Sequence, residues 1–255
     1  MPESSTACPE GGIDLRGRTA LVTGGAVRIG RAISIALAGA GARVVIHYKS
    51  SSAEAEAARE EIEAAGGVAA LIQADLSSVS EVRRLGEEAP QSFGPIDILV
   101  NNASIFPAER FEEVDEELWE TAIAINLRAP FFLSQQMGAA MKARGGGVII
   151  NLADLAGIQS WSSYAAHSIS KAGVIHLTKV AARALAPEVR VAAIAPGTVL
   201  PPESLTTEQI AELAVRAPLQ RNGSPEDVVR ALFYLLSAEF VTGEVLAVDG
   251  GRLLK

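Results

Sequence analysis

A single α/β domain built on a doubly wound parallel sheet is what the sequence predicts, on three observations. Short apolar, β-branched runs alternate with helical patterns along the 255-residue chain, the mark of strands covered on both faces by crossover helices. A glycine-rich turn joins the first strand to the first helix. No internal repeat, low-complexity block or long linker divides the chain, and a hydrophobic content of 49% lets it bury a full core.

The elements follow in order. Thr19-Ala20-Leu21-Val22 is an unbroken apolar strand, and the glycine turn after it leads into a helix over Arg31–Ala40. Arg43–His47 is the second strand, followed by an alanine- and glutamate-rich helix, Ala53–Ala65, whose acidic face Glu54–Glu63 is solvated. Gly66-Gly67 breaks that helix before the strand Ala69–Gln73, and Val79–Glu88 returns as a helix. Ile96–Val100 is the fourth strand. One long helix is expected over Leu118–Ala143, with Met137 and Met141 at helical spacing in the core or at a subunit interface. Gly145-Gly146-Gly147 ends it. The strand Val148–Leu152, the helix Tyr164–Ala186, the strand Arg190–Ala195, the helix Pro225–Ser237 and the strand Val245–Val248 complete the pattern, with Gly250-Gly251 a final break. Residues 1–14, rich in Ser, Pro, Glu and Gly at their start, are expected to form a flexible tail, and 15–255 the folded domain.

A net charge of −8 excludes nucleic acid and anionic membrane as main partners and leaves a small molecule. The single cysteine, Cys8, cannot form an internal disulfide, which fits a reducing cytoplasm. No apolar run reaches the length of a membrane span, and no signal peptide is expected. His47 and His176 lack a ligand cluster at metal spacing, so no metal is expected.

The run Thr23-Gly24-Gly25-Ala26-Val27-Arg28-Ile29-Gly30 carries the most chemistry. A strand, a glycine turn and a helix N-terminus make a phosphate site, because Gly24 and Gly30 let backbone approach a pyrophosphate while the helix offers free N–H groups. The chain is therefore expected to bind a dinucleotide. A site for NAD places an acid after the second strand to hold the ribose 2′-hydroxyl. Here that stretch reads His47-Tyr48-Lys49-Ser50-Ser51-Ser52, with no acid before Glu54. Lys49, Ser50, Ser51 and Arg28 suit the 2′-phosphate of NADP.

With the further runs Asp75-Leu76, Asn101-Asn102-Ala103-Ser104, Asn126, Lys171, Pro196-Gly197-Thr198 and Asp249-Gly250-Gly251, the chain resembles the short-chain dehydrogenase/reductase family from Leu15 to Leu254. The resemblance implies a Rossmann-like sheet, an NADP(H) cofactor and a homotetramer. It also implies that Asp75 and Leu76 flank the adenine, that Asn102 and Ala103 line the ribose, and that Thr198 meets the nicotinamide carboxamide. Gly24, Arg28, Ile29, Gly30, His47, Tyr48, Ser104, Lys171, Pro196 and Gly197 belong to the same expected cofactor site. Within the family the chain is similar to pteridine and dihydromonapterin reductases. The shared traits are Arg28 at the middle glycine, the His47-Tyr48 pair, Asp154 in place of the catalytic Ser, and Phe106 after the Asn-Asn-Ala-Ser run. That likeness gives Phe106, with Ser104, the substrate, Phe106 stacking on a pterin.

At the catalytic centre the chain departs from the family. The proton donor of its relatives is a Tyr four residues before the Lys, and His167 stands there. The nearest tyrosine, Tyr164, lies seven before Lys171, a spacing that resembles the family's enoyl-acyl carrier protein reductases. If the helix runs from Tyr164, then Tyr164, His167 and Lys171 share one stripe. A Lys⁺ favours the phenolate of a neighbouring Tyr and opposes protonation of a neighbouring His, whereas a carboxylate such as Asp154 supports the protonated imidazole. Tyr164 is the favoured donor and His167 the alternative.

The expected activity is NADPH-dependent reduction of a pterin or related small carbonyl or imine. An enoyl- or 3-oxoacyl-thioester reductase is the second reading, and a non-catalytic NADP-binding protein the third. Trp161 and its neighbours Ser160, Ser162 and Ser163 are expected to shape or cap a helix start. The stretch Leu200 to Asn222, with Pro201-Pro202 and the amphipathic run Thr207–Val215, is expected to close over the pocket.

Overall fold

Seven runs of small and β-branched residues pair into one parallel sheet: β1 (Thr19–Val22), β2 (Arg43–Tyr48), β3 (Val68–Gln73), β4 (Ile98–Asn101), β5 (Gly147–Leu152), β6 (Val189–Pro196) and β7 (Val245–Val248). Their order is β3-β2-β1-β4-β5-β6-β7. The computed structural model describes residues 13–201 and 205–254. Cys8, Pro202 and the first twelve residues of the expected tail lie outside them.

Helices α1 (Arg28–Gly39), α2 (Ser52–Ala64), α3 (Val79–Phe93), α4 (Glu116–Ile123), α5 (Ala129–Ala143), α6 (Ala165–Leu185), α7 (Thr207–Val215) and α8 (Pro225–Ser237) surround the sheet. All but α7 bury residues on one face. In α1 that face is Ile33, Ser34, Leu37 and Ala38, the spacing that puts a stripe against a sheet. Leu21, Leu99 and Ile149 point into one apolar layer with α3, α5 and α6, and Val22, Val100 and Ile150 into the other with α1 and α8. Strands buried on both sides have no polar face, which is why their sequences read as continuous apolar runs.

The chain turns outward in opposite directions from β1 and β4, so the ends of these neighbouring strands diverge. That switch point opens a crevice beyond the C-terminal strand ends.

Four expectations on chain organisation need correction. Ile13 packs against the apolar core and Asp14 accepts hydrogen bonds from Arg16, so these two residues, expected in the tail, belong with the folded domain. The first helix starts at Arg28, inside the glycine turn. The long helix expected over Leu118–Ala143 is interrupted by a π-helical turn, Ala124–Arg128, the kind of single-turn widening that gathers at functional sites. The helix expected from Tyr164 starts at Ala165, because Ser162–Tyr164 form a 3₁₀ turn and Tyr164 has φ −144° and ψ 44°. Among the described residues, no helix is long and apolar enough to cross a membrane.

Candidate active site

A cavity of about 950 Å³ fills the crevice. Its floor is the glycine turn. Gly24 has φ +60° and Arg28 φ +52°, the left-handed region that glycine enters without strain and a side chain rarely does. A Cβ on Gly30 would lie 2.5 Å from Asn102 Nδ2 and 2.9 Å from the Gly24 carbonyl carbon. Only glycine leaves that cradle open. Val27 caps α1 with no side-chain bond and the first turn holds no acid, so the leading N–H groups remain available to an anion. These features fit the pyrophosphate of a dinucleotide.

The turn is clamped from behind. Asn102 Nδ2 donates to the carbonyls of Thr23 and Gly24 at 2.9 and 3.0 Å, and Thr23 Oγ1 accepts from the N–H groups of Asn102 and Ala103. His47 is buried beneath it. Its Nδ1 accepts the Gly24 N–H at 3.0 Å, which places the proton on Nε2, the atom 3.0 Å from the Ala74 carbonyl. Burial pushes the His47 pKa down to about 4, against the pull of the Ala74 carbonyl and Asp75, so the ring is neutral and holds one tautomer.

At the outer end of the crevice, Lys49 Nζ meets Asp75 Oδ2 at 2.8 Å. Lys49, followed by the bonds from Ser77, holds the Asp75 carboxyl well below its usual range. Leu76 and Ala103 line the cavity beside them. Tyr48 packs instead against the apolar core, and neither it nor Ser50 nor Ser51 is part of the cavity lining. Of the expected 2′-phosphate group, the structure brings Lys49 and Arg28 to the cavity. Arg28 Nη2 donates to the Leu200 carbonyl at 2.7 Å, joining the turn to the opposite rim.

The inner end is built by β5, α6 and the segment after β4. Lys171, 4% exposed, donates from Nζ to the Leu152 carbonyl at 2.7 Å. Burial lowers its pKa to about 8 even though Asp154 acts to raise it. Asp154 Oδ1 accepts from the Ala156 N–H at 2.7 Å, which leaves Oδ2 facing His167 Nε2 at 3.7 Å. His167 Nδ1 lies 3.0 Å from the Ile105 carbonyl, so that nitrogen carries a hydrogen and donates it. Nε2 is left buried with no hydrogen-bond partner, turned toward the carboxylate. Asp154, His167 and Lys171 thus share one corner.

Tyr164 lines the same cavity as His167 and Lys171, but it is placed by the 3₁₀ turn that precedes α6 and not by the helix itself. Its ring stacks on Phe106 at 4.4 Å and meets Trp161 edge-on at 6.2 Å. Phe106 in turn lies edge-on to His167 at 4.4 Å. The segment that carries Phe106 is fixed by Asn126, whose Oδ1 accepts from the Ile105 N–H and Ser104 Oγ and whose Nδ2 donates to the Ile105 carbonyl and Ser170 Oγ. Asn126 sits in the π turn, and no local sequence pattern announces that role. Trp161 and Ser160, Ser162 and Ser163 line the cavity, and no side-chain bond caps α6, so the capping expectation for them is replaced by one of shaping the pocket.

Pro196, Gly197 and Thr198 close the floor at the end of β6. Thr198 Oγ1 accepts from Arg252 Nη1 at 2.9 Å. Arg252 and Arg216 also reach the cavity, and the sequence pattern singled out neither. Ile29, the remaining expected cofactor residue, lines it as well.

Comparison with known proteins agrees with this architecture. A family model described as enoyl-(acyl carrier protein) reductase matches residues 25–252. The 3-oxoacyl-[acyl-carrier-protein] reductase FabG of Staphylococcus epidermidis is 36% identical over 242 residues, covering 93% of this chain and 99% of that protein. An uncharacterized oxidoreductase of Methylorubrum extorquens is 39% identical over 246 residues, covering 93% and 98%. Among solved structures, FolM alternative dihydrofolate reductase 1 of Brucella suis, in complex with NADP, superposes with a TM-score of 0.89 at 36% identity, over 94% of this chain and 97% of that one. Matches of this extent, on a sheet with this order and a glycine turn at its switch point, show that the chain belongs to the short-chain dehydrogenase/reductase family of NAD(P)-dependent oxidoreductases.

Proposed function

We propose that the protein is an NADPH-dependent reductase of a pterin-like planar substrate or a related small carbonyl or imine, with His167, paired to Asp154, as proton donor. The observation that carries the proposal is the buried, unpartnered His167 Nε2 facing Asp154 at 3.7 Å beside a wall of Phe106 and Tyr164 rings. The FolM likeness supports the substrate class, and Lys49 and Arg28 support NADPH over NADH. Gly24, Gly30 and the α1 N-terminus would hold the pyrophosphate, Thr198 the carboxamide, and Lys171 the adjoining ribose. NADPH, when bound, supplies the hydride.

The chain's own part is the proton. With Nδ1–H committed to the Ile105 carbonyl, Nε2, which faces Asp154, is the nitrogen from which a proton would be delivered. Reduction of a C=N or C=O bond places negative charge on the heteroatom, and the Nε2 proton moves there. His167 is left neutral and takes a new proton from solvent. Phe106 and Tyr164 supply flat apolar surface that orients a planar ring and excludes water. FabG-like thioester reduction is the second reading, favoured by the 36% identity to that enzyme. A cytoplasmic homotetramer completes the proposal.

Turnover of NADPH with dihydrobiopterin, a crotonyl thioester and a simple diketone tests the substrate class. His167→Ala should lower turnover by about 10² to 10⁴, the worth of a positioned general acid, and Tyr164→Phe should stay within a few-fold of the parent. An inactive Tyr164→Phe beside an active His167→Ala would return the role to the tyrosine.

A further inference from the structure

Among the described residues, the cavity is lined by more positive than negative charge: Arg28, Lys49, Lys171, Arg216 and Arg252 against Asp75 and Asp154, in a chain whose net charge is −8. Both acids are engaged, Asp75 with Lys49 and Asp154 with His167. Lys171 is bonded to Leu152 and Arg28 to Leu200. Arg216 and Arg252 are left over.

Arg252 is held rigidly. Its Nη1 donates to Thr198 Oγ1 at 2.9 Å, and its guanidinium carbon lies 5.2 Å from the centre of the Trp161 ring. A guanidinium laid over an aromatic face and pinned at one nitrogen keeps its remaining donors in a fixed fork. The neighbouring Asp249 makes no ion pair with it among the described residues, since its Oδ1 accepts the Gly251 N–H and its Oδ2 the Leu253 N–H, and it acts on Arg252 only through its charge. Burial first, and the charge of Arg216 second, depress the Arg252 pKa, while Asp154 and Asp249 act to raise it. Arg216, at the C-terminal cap of α7, makes no ion pair among the described residues. Two unpaired cations of this kind, gathered at one cavity rim, repel each other until an anion arrives.

Their place in the cavity says whose anion it is. The glycine turn and Lys49 lie on the far side of Thr198, at the end suited to the cofactor phosphates. Arg252 bridges Thr198 to Trp161, whose other neighbour is the Tyr164 ring, so it belongs to the aromatic end. We propose that Arg216 and Arg252 form an oxyanion subsite for the substrate, which is therefore a compound with a planar reducible end and a carboxylate or phosphate at the other. The substrate half of this inference rests on the reductase reading above, while the subsite itself does not.

Calorimetric titration of the full-length, NADP-saturated protein separates the two. The probes are 4-aminobenzoylglutamate, which carries carboxylates, and phosphopantetheine, which carries a phosphate. One of them should bind, and Arg216→Gln and Arg252→Gln should each weaken it at least tenfold, with Arg252→Lys intermediate because it keeps charge and loses the fork. The probe that binds identifies the oxyanion. Cofactor binding by the variants, followed by nicotinamide fluorescence, reports that they are folded. In turnover, dihydrofolate should exceed dihydrobiopterin at least tenfold in kcat/KM, and the ratio should collapse in the double variant. Arginine-dependent probe binding with no pterin reduced would keep the subsite and overturn the pterin reading. No binding of either probe, or binding unchanged by the substitutions, would overturn the subsite.

Discussion

Replacing Lys171 with Met should make the protein more stable and nearly inactive at once. The ammonium is 4% exposed, and burial has brought its pKa from 10.5 to about 8. At 1.36 kcal/mol per pH unit, holding that group charged in the fold at pH 7 costs about 3 kcal/mol relative to the unfolded chain. Methionine fills similar volume without charge. The Leu152 carbonyl loses its donor, which returns about 1 kcal/mol, so Lys171→Met should gain about 2 kcal/mol. For a domain of this size that is a rise of roughly 4–8 °C in Tm. The sign reverses with pH in a checkable way. The folded pKa lies below the unfolded one, so the parent gains stability as pH climbs from about 8 toward 10.5, while the variant does not. Urea denaturation of both proteins without cofactor at pH 7 and pH 10 measures the gap, which should shrink by most of its value at the higher pH. NADPH turnover at pH 7 should meanwhile fall by at least about 10². A gap that stays constant between the two pH values, or a variant less stable at pH 7, would refute the argument that the lysine is held charged against its surroundings.

Two further outcomes follow from other parts of the molecule. His47, neutral in the fold with a pKa near 4 against 6.5 for a free side chain, contributes stability that is present above pH 6.5 and lost as pH falls toward 4, about 3 kcal/mol in all; His47→Gln should flatten that slope in urea denaturation between pH 4.5 and 7.5, and an unchanged slope would contradict it. Phe131 on α5 and Ile169 and Val180 on α6 are 43%, 46% and 51% exposed, more apolar surface than a lone protomer would leave open on two neighbouring helices; light scattering should report a tetramer, and a 26.6 kDa species alone at micromolar concentration would refute it.

The sheet was legible from the sequence because its strands are buried on both faces. A run such as Leu21-Val22 or Val44-Val45-Ile46 has no amphipathic alternative, so strand identity survives without knowledge of the partners, and only the ends move, as at Tyr48 and Pro196. The glycine turn was legible for a similar reason, since Gly30 has no room for a Cβ. What escaped depends on contacts between distant segments. Asn126 is visible in the sequence as a family feature, but its hold on Ile105 is not, because the π turn presents it there. Arg252 reads as a charged residue near the chain's end until Trp161 and Thr198 meet it. His47 was read as a cofactor residue, and its role as a support under Gly24 needs the neighbouring strand ends to be in register. For Tyr164 only the helix start differs from the sequence reading, since α6 begins at Ala165, after the 3₁₀ turn at Ser162–Tyr164.

The exchange of Tyr for His at position 167 makes physical sense only together with Asp154. A lysine cation next to a phenol favours the phenolate and so helps a tyrosine give up its proton. The same cation next to an imidazole opposes the charged form that must exist before the imidazole can donate. A chain that changed only the donor would have a neutral ring whose single proton is already spent on the Ile105 carbonyl. The carboxylate at 154 changes the balance. Its Oδ2 faces Nε2 at 3.7 Å, and its charge acts to raise the pKa of Lys171 as well. Burial opposes it on the lysine and prevails, bringing that pKa down to about 8. Ile105 completes the arrangement by fixing which nitrogen is free, and Asn126 fixes Ile105. The altered donor thus stands on four residues, Asp154, Lys171, Ile105 and Asn126, from four separate segments.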